Sequence, residues 1–463
     1  MAGLHGPEGS MRSFIRDRRM CDWENFAARE DFARQRLEPD ASDALPPFLL
    51  LSEPGFSAGE QRICAENWMR ARVATATIAR ETLGFARPRA ENAKIRLGYL
   101  SNDFHDHATS MLLIETLEAH DRSQFELHAY SYGADDGKTM RQRLDRTFDS
   151  FNHIGALTDI AAAQAIHDAQ IDILIDLKGF TQGTRTSILA LRPAPVQVNY
   201  LGYPGTLGDN LCDYLITDDF VTPNAAAADY AEAFAFMPHS YQPHGCRGAI
   251  APAPTRAEVG LPEEGFVFCC FNQAFKLTPE VFAIWIRLLA QAPGSVLWLL
   301  AMPEAEGNLR SQAIESGLDP RRIVFAPDMG QSEHLSRLQL ADLVLDTAPY
   351  GAHTTASDAL WVGAPVLTSP GATFASRVAG SLLRAVGLSE LIVANDEDYF
   401  ELALALATDK ARFDALRAKL ALNRTTAPLF DVSAYTLALE QLYRVMNARS
   451  RAGLPLAMID SLR

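Results

Sequence analysis

From Ile95 onward the chain repeats one pattern: a short apolar run rich in β-branched or aromatic residues, followed in most cases by a stretch with helical spacing. Ile95–Ser101, Phe125–Tyr132, Ile171–Leu177, Val196–Tyr200 and Tyr214–Thr217 form a first series of strand candidates. Val267–Phe271, Val296–Leu300, Ile323–Phe325, Leu343–Asp346 and Pro365–Thr368 form a second. Helical stretches at Pro279–Gln291, Glu333–Leu340, Thr355–Val362 and Ala375–Val386 separate the later runs. Such alternation implies parallel sheets with helices on both faces. Pro238–Pro254, rich in Pro, Gly, His and Ala, reads as the linker between the two series. The expectation is an α/β chain with two Rossmann-like doubly wound domains, in which ligands sit beyond the carboxyl ends of the strands.

The ends of the chain are helical in pattern. Trp23–Leu37 and Gly59–Leu83 flank the proline-containing stretch Pro46–Pro54, and Glu397–Ala407, Ala411–Leu422 and Ser433–Ala448 close the sequence. No repeat at the roughly 34-residue spacing of helical-pair solenoids is present. The division expected is a helical segment 1–93, a first domain 94–240, a linker 241–258, a second domain 259–430, and a C-terminal helix and tail 431–463.

Composition narrows the function. A net charge of -15 and a pI near 5.2 lack the basic footprint of a general nucleic-acid binder. Six cysteines without C-x-x-C spacing suggest neither a disulfide framework nor a zinc site. The most apolar run, 295–302, is far shorter than the ~20 residues a bilayer requires. No signal-like stretch opens the sequence. These features point to a cytoplasmic protein without nucleic-acid or membrane partners.

Three strand ends carry candidate chemistry. Leu345-Asp346-Thr347-Ala348-Pro349-Tyr350-Gly351-Ala352-His353-Thr354-Thr355 reads as a strand end, a turn and a helix starting near Thr355. Thr355 and Asp358 have capping-box spacing, although Glu or Gln is the usual partner. Free N–H groups and the helix dipole make such a start an anion site. With the threonine hydroxyls and His353 it suits a diphosphate; an ordinary helix cap is the other reading. Phe271–Pro279 places Asn272, Gln273 and Lys276 at the end of the first strand of the second series. A lysine there can neutralise charge on a leaving phosphate, or be a solvated surface residue. Asp103-Phe104-His105-Asp106-His107 follows the first strand of the first series. One of its histidines can act as a general base or cap the next helix; a third metal ligand is missing. Leu201–Thr206 is a tight turn, and Glu333-His334 can cap a helix or lay an imidazole under a base.

Together these segments resemble the catalytic region of the protein O-GlcNAc transferase and SPINDLY-like glycosyltransferase family, from about Cys21 to Met446. The most specific runs are Asp103–Ser110, Leu191-Arg192-Pro193-Ala194-Pro195-Val196-Gln197, Leu201–Thr206, Phe271–Lys276, Leu297–Leu300, His353–Trp361 and Ala375–Ala379. The resemblance implies a GT-B fold, two Rossmann-like domains facing a cleft. It implies inverting transfer of N-acetylglucosamine from UDP-GlcNAc to Ser or Thr of a protein or peptide acceptor, with no metal and no cofactor. Lys276 then matches the lysine that stabilises leaving UDP. His353, Thr354 and Thr355 match the residues on the pyrophosphate, Asp358 the ribose contact, His334 the uracil stack and Gln273 a phosphate contact. His107 matches the histidine beside sugar and acceptor. His353-Thr354-Thr355 and Gly371–Arg377 look like the GlcNAc-transferring branch rather than the fucosyl branch. A different UDP-sugar or a non-protein acceptor is the neighbouring reading, and a silent nucleotide-binding scaffold a remoter one. Three departures stand out: Gln331 where animal enzymes carry a lysine near the uridine, a short linker in place of a long insertion, and no full tetratricopeptide array.

Overall fold

A computed structural model describes residues 11–38, 43–85, 93–209, 211–245 and 250–461. Its chain divides into two units, one of residues 36–50, 56–246 and 428–463, the other of residues 1–35, 51–55 and 247–427. Each is built on a wholly parallel sheet, as the alternation of apolar runs requires.

The first unit contains β1 (Ile95–Ser101), β2 (Phe125–Ser131), β3 (Ser150–His153), β4 (Ile173–Asp176), β5 (Val196–Asn199), β6 (Tyr214–Asp218), β7 (Ala233–Met237) and β13 (Ile459–Asp460), ordered β3-β2-β1-β4-β5-β6-β7-β13. Five of these strands, β1, β2, β4, β5 and β6, announce themselves as apolar runs; β3, β7 and β13 were not among the candidates. No residue of the edge strand β3 is fully buried, and β13 is only two residues long. The order reverses between β1 and β4, which opens a crevice at their carboxyl ends. Gly202, in the turn after β5, is held to glycine by packing: an added Cβ would lie 1.9 Å from the Leu177 carbonyl.

The second unit contains β8 (Val267–Cys270), β9 (Val296–Leu300), β10 (Ile323–Ala326), β11 (Leu343–Leu345) and β12 (Val366–Leu367), ordered β10-β9-β8-β11-β12. Its reversal lies between β8 and β11. The helix Pro279–Gln291 after β8 starts where its sequence signals, with Pro in the first turn and the Thr278 side chain accepting from Val281 N–H. That helix buries Trp285 and β9 buries Trp298.

Residues 1–93 are shared between the units. Helices Met11–Arg19 and Phe26–Gln35 belong with the second, whereas Pro47–Leu50 and Ala58–Leu83 belong with the first. The long helix Ala58–Leu83 opens with a full capping box between Ser57 and Glu60. The last helix, Val432–Arg451, returns to the first unit, where Glu440 meets His120 Nδ1 at 3.0 Å. Cys21, Cys64, Cys212, Cys269 and Cys270 are free and buried. Cys246 and most of the linker core, 246–249, lie outside the described residues.

Candidate functional site

The reversal between β8 and β11 gathers most of the residues singled out in the second unit. After β8 the chain makes a single turn of 3-10 helix, Ala274–Lys276, begun at the exposed Gln273. The segment just after helix Met11–Arg19 backs this turn, with Cys21 Sγ pointing to the Ala274 carbonyl at 3.6 Å, and Asn308 Nδ2 holds that segment by donating to Met20 O at 2.9 Å. Lys276 Nζ donates to the Gly351 carbonyl at 2.7 Å and lies 3.8 Å from the centre of the Tyr350 ring. Burial pulls its pKa down to about 8, against the opposing pull of the Asp346 and Cys270 side chains.

After β11, Asp346 anchors the turn. Its carboxylate accepts from Thr347 N–H at 2.8 Å and from Thr368 Oγ1 at 2.7 Å. Burial pushes its pKa up to about 6 in spite of these bonds and Lys276. The turn ends at His353, the N-cap of helix Thr354–Val362, and no side chain caps that helix. The capping box expected of Thr355 and Asp358 is therefore not formed. Thr355 Oγ1 donates instead to Asn272 Oδ1 at 2.6 Å, and Asn272 Nδ2 donates to Thr347 Oγ1 at 2.9 Å. This relay ties the ends of β8 and β11 together and leaves the start of the helix without a side-chain oxygen of its own. His353 Nε2 donates to the Ala375 carbonyl at 3.0 Å. Burial, then Lys276, lowers its pKa to about 3, so the ring is neutral at pH 7 and Nδ1 is its acceptor.

Asp358, one turn into the helix, is buried and accepts from Gln331 Nε2 at 3.2 Å. The position that departs from the animal pattern thus supplies a neutral donor to the carboxylate matched to the ribose contact. His334 sits on the preceding helix, Gln331–Leu338, its ring centre 5.4 Å from that of Phe271, and its Nδ1 accepts from Arg337 Nη2 at 3.2 Å. Phe271, Asn272, His334, Ala352 and Thr355 line one small cavity at the switch point.

His107 belongs to the first unit, at the reversal between β1 and β4. It is the N-cap of helix Ala108–Ala119, and its Nδ1 accepts from Thr109 N–H at 3.2 Å. Burial lowers its pKa, with Asp103 opposing and Lys178 and His105 assisting. The neutral ring carries its proton on Nε2. Asn272 and Asp103 were read at strand ends by sequence, whereas Asp346, Tyr350 and Lys178 were given no role there. A carboxylate directly after an apolar strand was the available signal for Asp346, but its burial and its partners are set by tertiary packing. Among the described residues, no group of three or more His, Cys, Asp or Glu side chains could hold a metal ion, and no helix is long and apolar enough to cross a membrane.

The model of glycosyl transferase family 41 matches residues 60–244 and 249–439. A protein of Arabidopsis thaliana described as a probable UDP-N-acetylglucosamine–peptide N-acetylglucosaminyltransferase, SEC, is 36% identical over 92% of this chain and 45% of its own length. A Caenorhabditis elegans UDP-N-acetylglucosamine–peptide N-acetylglucosaminyltransferase is 31% identical over 80% of this chain and 42% of its own length. The chain spans less than half the length of these relatives. Among solved structures, a mutant of Thermobaculum terrenum O-GlcNAc transferase is similar with a TM-score of 0.80 and 28% identity, over 92% of this chain and 82% of that one. A sucrose-phosphate synthase of Thermosynechococcus elongatus shares the fold, with a TM-score of 0.53 at 15% identity over 77% of this chain and 100% of that one.

Proposed function

The chain belongs to glycosyl transferase family 41, and on that premise we propose that it transfers N-acetylglucosamine from UDP-GlcNAc to Ser or Thr hydroxyls of a protein or peptide. The observation that carries this reading is the β8–β11 switch point. There Lys276, with its ammonium against Tyr350, and a helix start without a side-chain cap at Thr354 and Thr355 share one strand-end crevice.

In this reading the diphosphate lies at the start of helix Thr354–Val362, where N–H groups and the helix dipole favour it. Gln273 adds a polar contact, Asp358 holds the ribose and His334 stacks on the uracil. The acceptor oxygen bonds to the anomeric carbon as the bond from that carbon to the diphosphate oxygen breaks. The electron pair leaves on UDP, and Lys276 balances the added charge. The acceptor's proton passes to a base, with His107 of the first unit as candidate. Nδ1 of His107 is engaged by Thr109 N–H, so the neutral ring offers an Nε2–H first. To take the acceptor proton at Nε2, the ring must carry its own proton on Nδ1 instead. We further place the chemistry as metal-independent and the protein in the cytoplasm; five buried free thiols support the latter.

UDP release measured with UDP-GlcNAc, UDP-Glc and UDP-GalNAc, and GDP release with GDP-fucose, tests the reading in the presence of EDTA and beside Lys276→Ala. Release confined to UDP-GlcNAc and lost in the variant supports it. No release and no UDP binding by titration would remove the nucleotide-sugar reading.

A further inference from the structure

Lys178 and Asp103 form an ion pair inside the first unit, with Nζ 2.8 Å from Oδ2 and side chains 5% and 8% exposed. Asp103 follows β1 and Lys178 follows β4, so the pair joins the two strands at which the sheet order reverses. Asp103 is also fixed through its backbone: its N–H donates to Ser101 Oγ at 2.9 Å, and its carbonyl accepts from Ser110 Oγ at 2.6 Å. The same Oδ2 that meets Lys178 lies 3.6 Å from His107 Nδ1. That is too long for a hydrogen bond, and Nδ1 takes the Thr109 N–H instead.

We infer that Lys178 and Asp103 are a positioning pair for His107. Lys178 holds the carboxylate in place, so the resting imidazole caps its helix and presents Nε2–H. When the ring is protonated, Asp103 becomes the partner of its Nδ1–H. The reason is electrostatic. A carboxylate within about 4–6 Å favours imidazolium, and a cation at the same carboxylate offsets it. Among the other charged groups nearby, His105 has its ring centre 5.6 Å away and also opposes protonation. Asp106 is paired with Lys138 at 3.5 Å and gives its N–H to Asp136. All of these stay in place in the variants below. The inference rests on the proposed role of His107 only for its catalytic consequence.

An NMR titration of the His107 ring in the full chain tests it, with the signal assigned by its loss in His107→Gln. Lys178→Met should raise the midpoint by about one unit, and Lys178→Arg should keep it near that of the parent. Asp103→Asn should lower it and serves if Lys178→Met does not fold. An unmoved midpoint in either folded charge-removing variant overturns the inference. UDP release followed in parallel should show the acid limb of kcat moving in the direction of the NMR midpoint, and a limb that stays put while the midpoint moves overturns the catalytic consequence. NMR shifts as stated, with no transfer by any variant or the parent, would support the pair and count against the transferase reading.

Discussion

Lys276 is placed so that stability and activity pull in opposite directions. In the folded chain it releases its proton near pH 8, and in the unfolded chain near 10.5. Between those values the unfolded state binds more protons, so stability rises with pH across that window. The proposed leaving-group role needs the ammonium, so kcat/KM should fall above about pH 8, the limb that reports the free enzyme. Thermal unfolding and UDP release measured across pH 7 to 10 should therefore show opposite trends. Lys276→Ala should cost on the order of 10²–10³-fold in kcat. Asp346→Asn removes the main charge that holds Lys276 protonated, and should move the alkaline limb below that of the parent. At this scale the residue types were readable from sequence: Lys276, His353, Thr354 and Thr355 all stand at strand ends. Their states were not readable. The neutrality of His353 depends on burial and on Lys276, which lies far from it in the chain.

Helix Thr354–Val362 begins without a side-chain cap and ends at Gly363 with φ of 89°. Its end at Val362 agrees with the sequence reading, whereas the capping box expected at its start does not form. Thr355 and Asp358 have capping-box spacing, but Asn272 and Gln331 compete for them from other elements and prevail. Thr355→Val should cost about 1–2 kcal/mol through the stranded Asn272. It should also weaken UDP binding, which calorimetry with UDP would measure. In the first unit, Gly133 holds the loop after β1 close: a Cβ there would lie 2.0 Å from Asn102 O. Gly133→Ala should displace the loop that leads to His107, abolishing transfer while UDP affinity in the other unit is kept. Loss of both together would show that the effect is not local. Strands were readable where burial is complete, as in β4, β6 and β8. β3 escaped because an edge strand half open to solvent needs no apolar run.

The N-terminal helices show what the scale of the whole chain adds. Arg18 and Glu53 pair at 2.8 Å with 4% of each side chain exposed, within the unit that carries Lys276. Burial lowers Arg18 to about 10 and raises Glu53, against the attraction between them. Arg18→Met leaves a buried carboxylate without its nearest cation and should cost about 3–5 kcal/mol. At ~2–4 °C per kcal/mol, melting of this unit should fall by roughly 10 °C. The class of fold, two parallel sheets and the family were determined by sequence alone. These depend on periodicity, turn residues and short motifs, all of which are local. The tertiary structure decided that residues 1–93 divide between the units, that Thr355 serves Asn272, and that Lys178 meets Asp103. Each of those outcomes is a competition among partners distant in the chain, and packing and burial, which no local pattern encodes, determine which partner prevails.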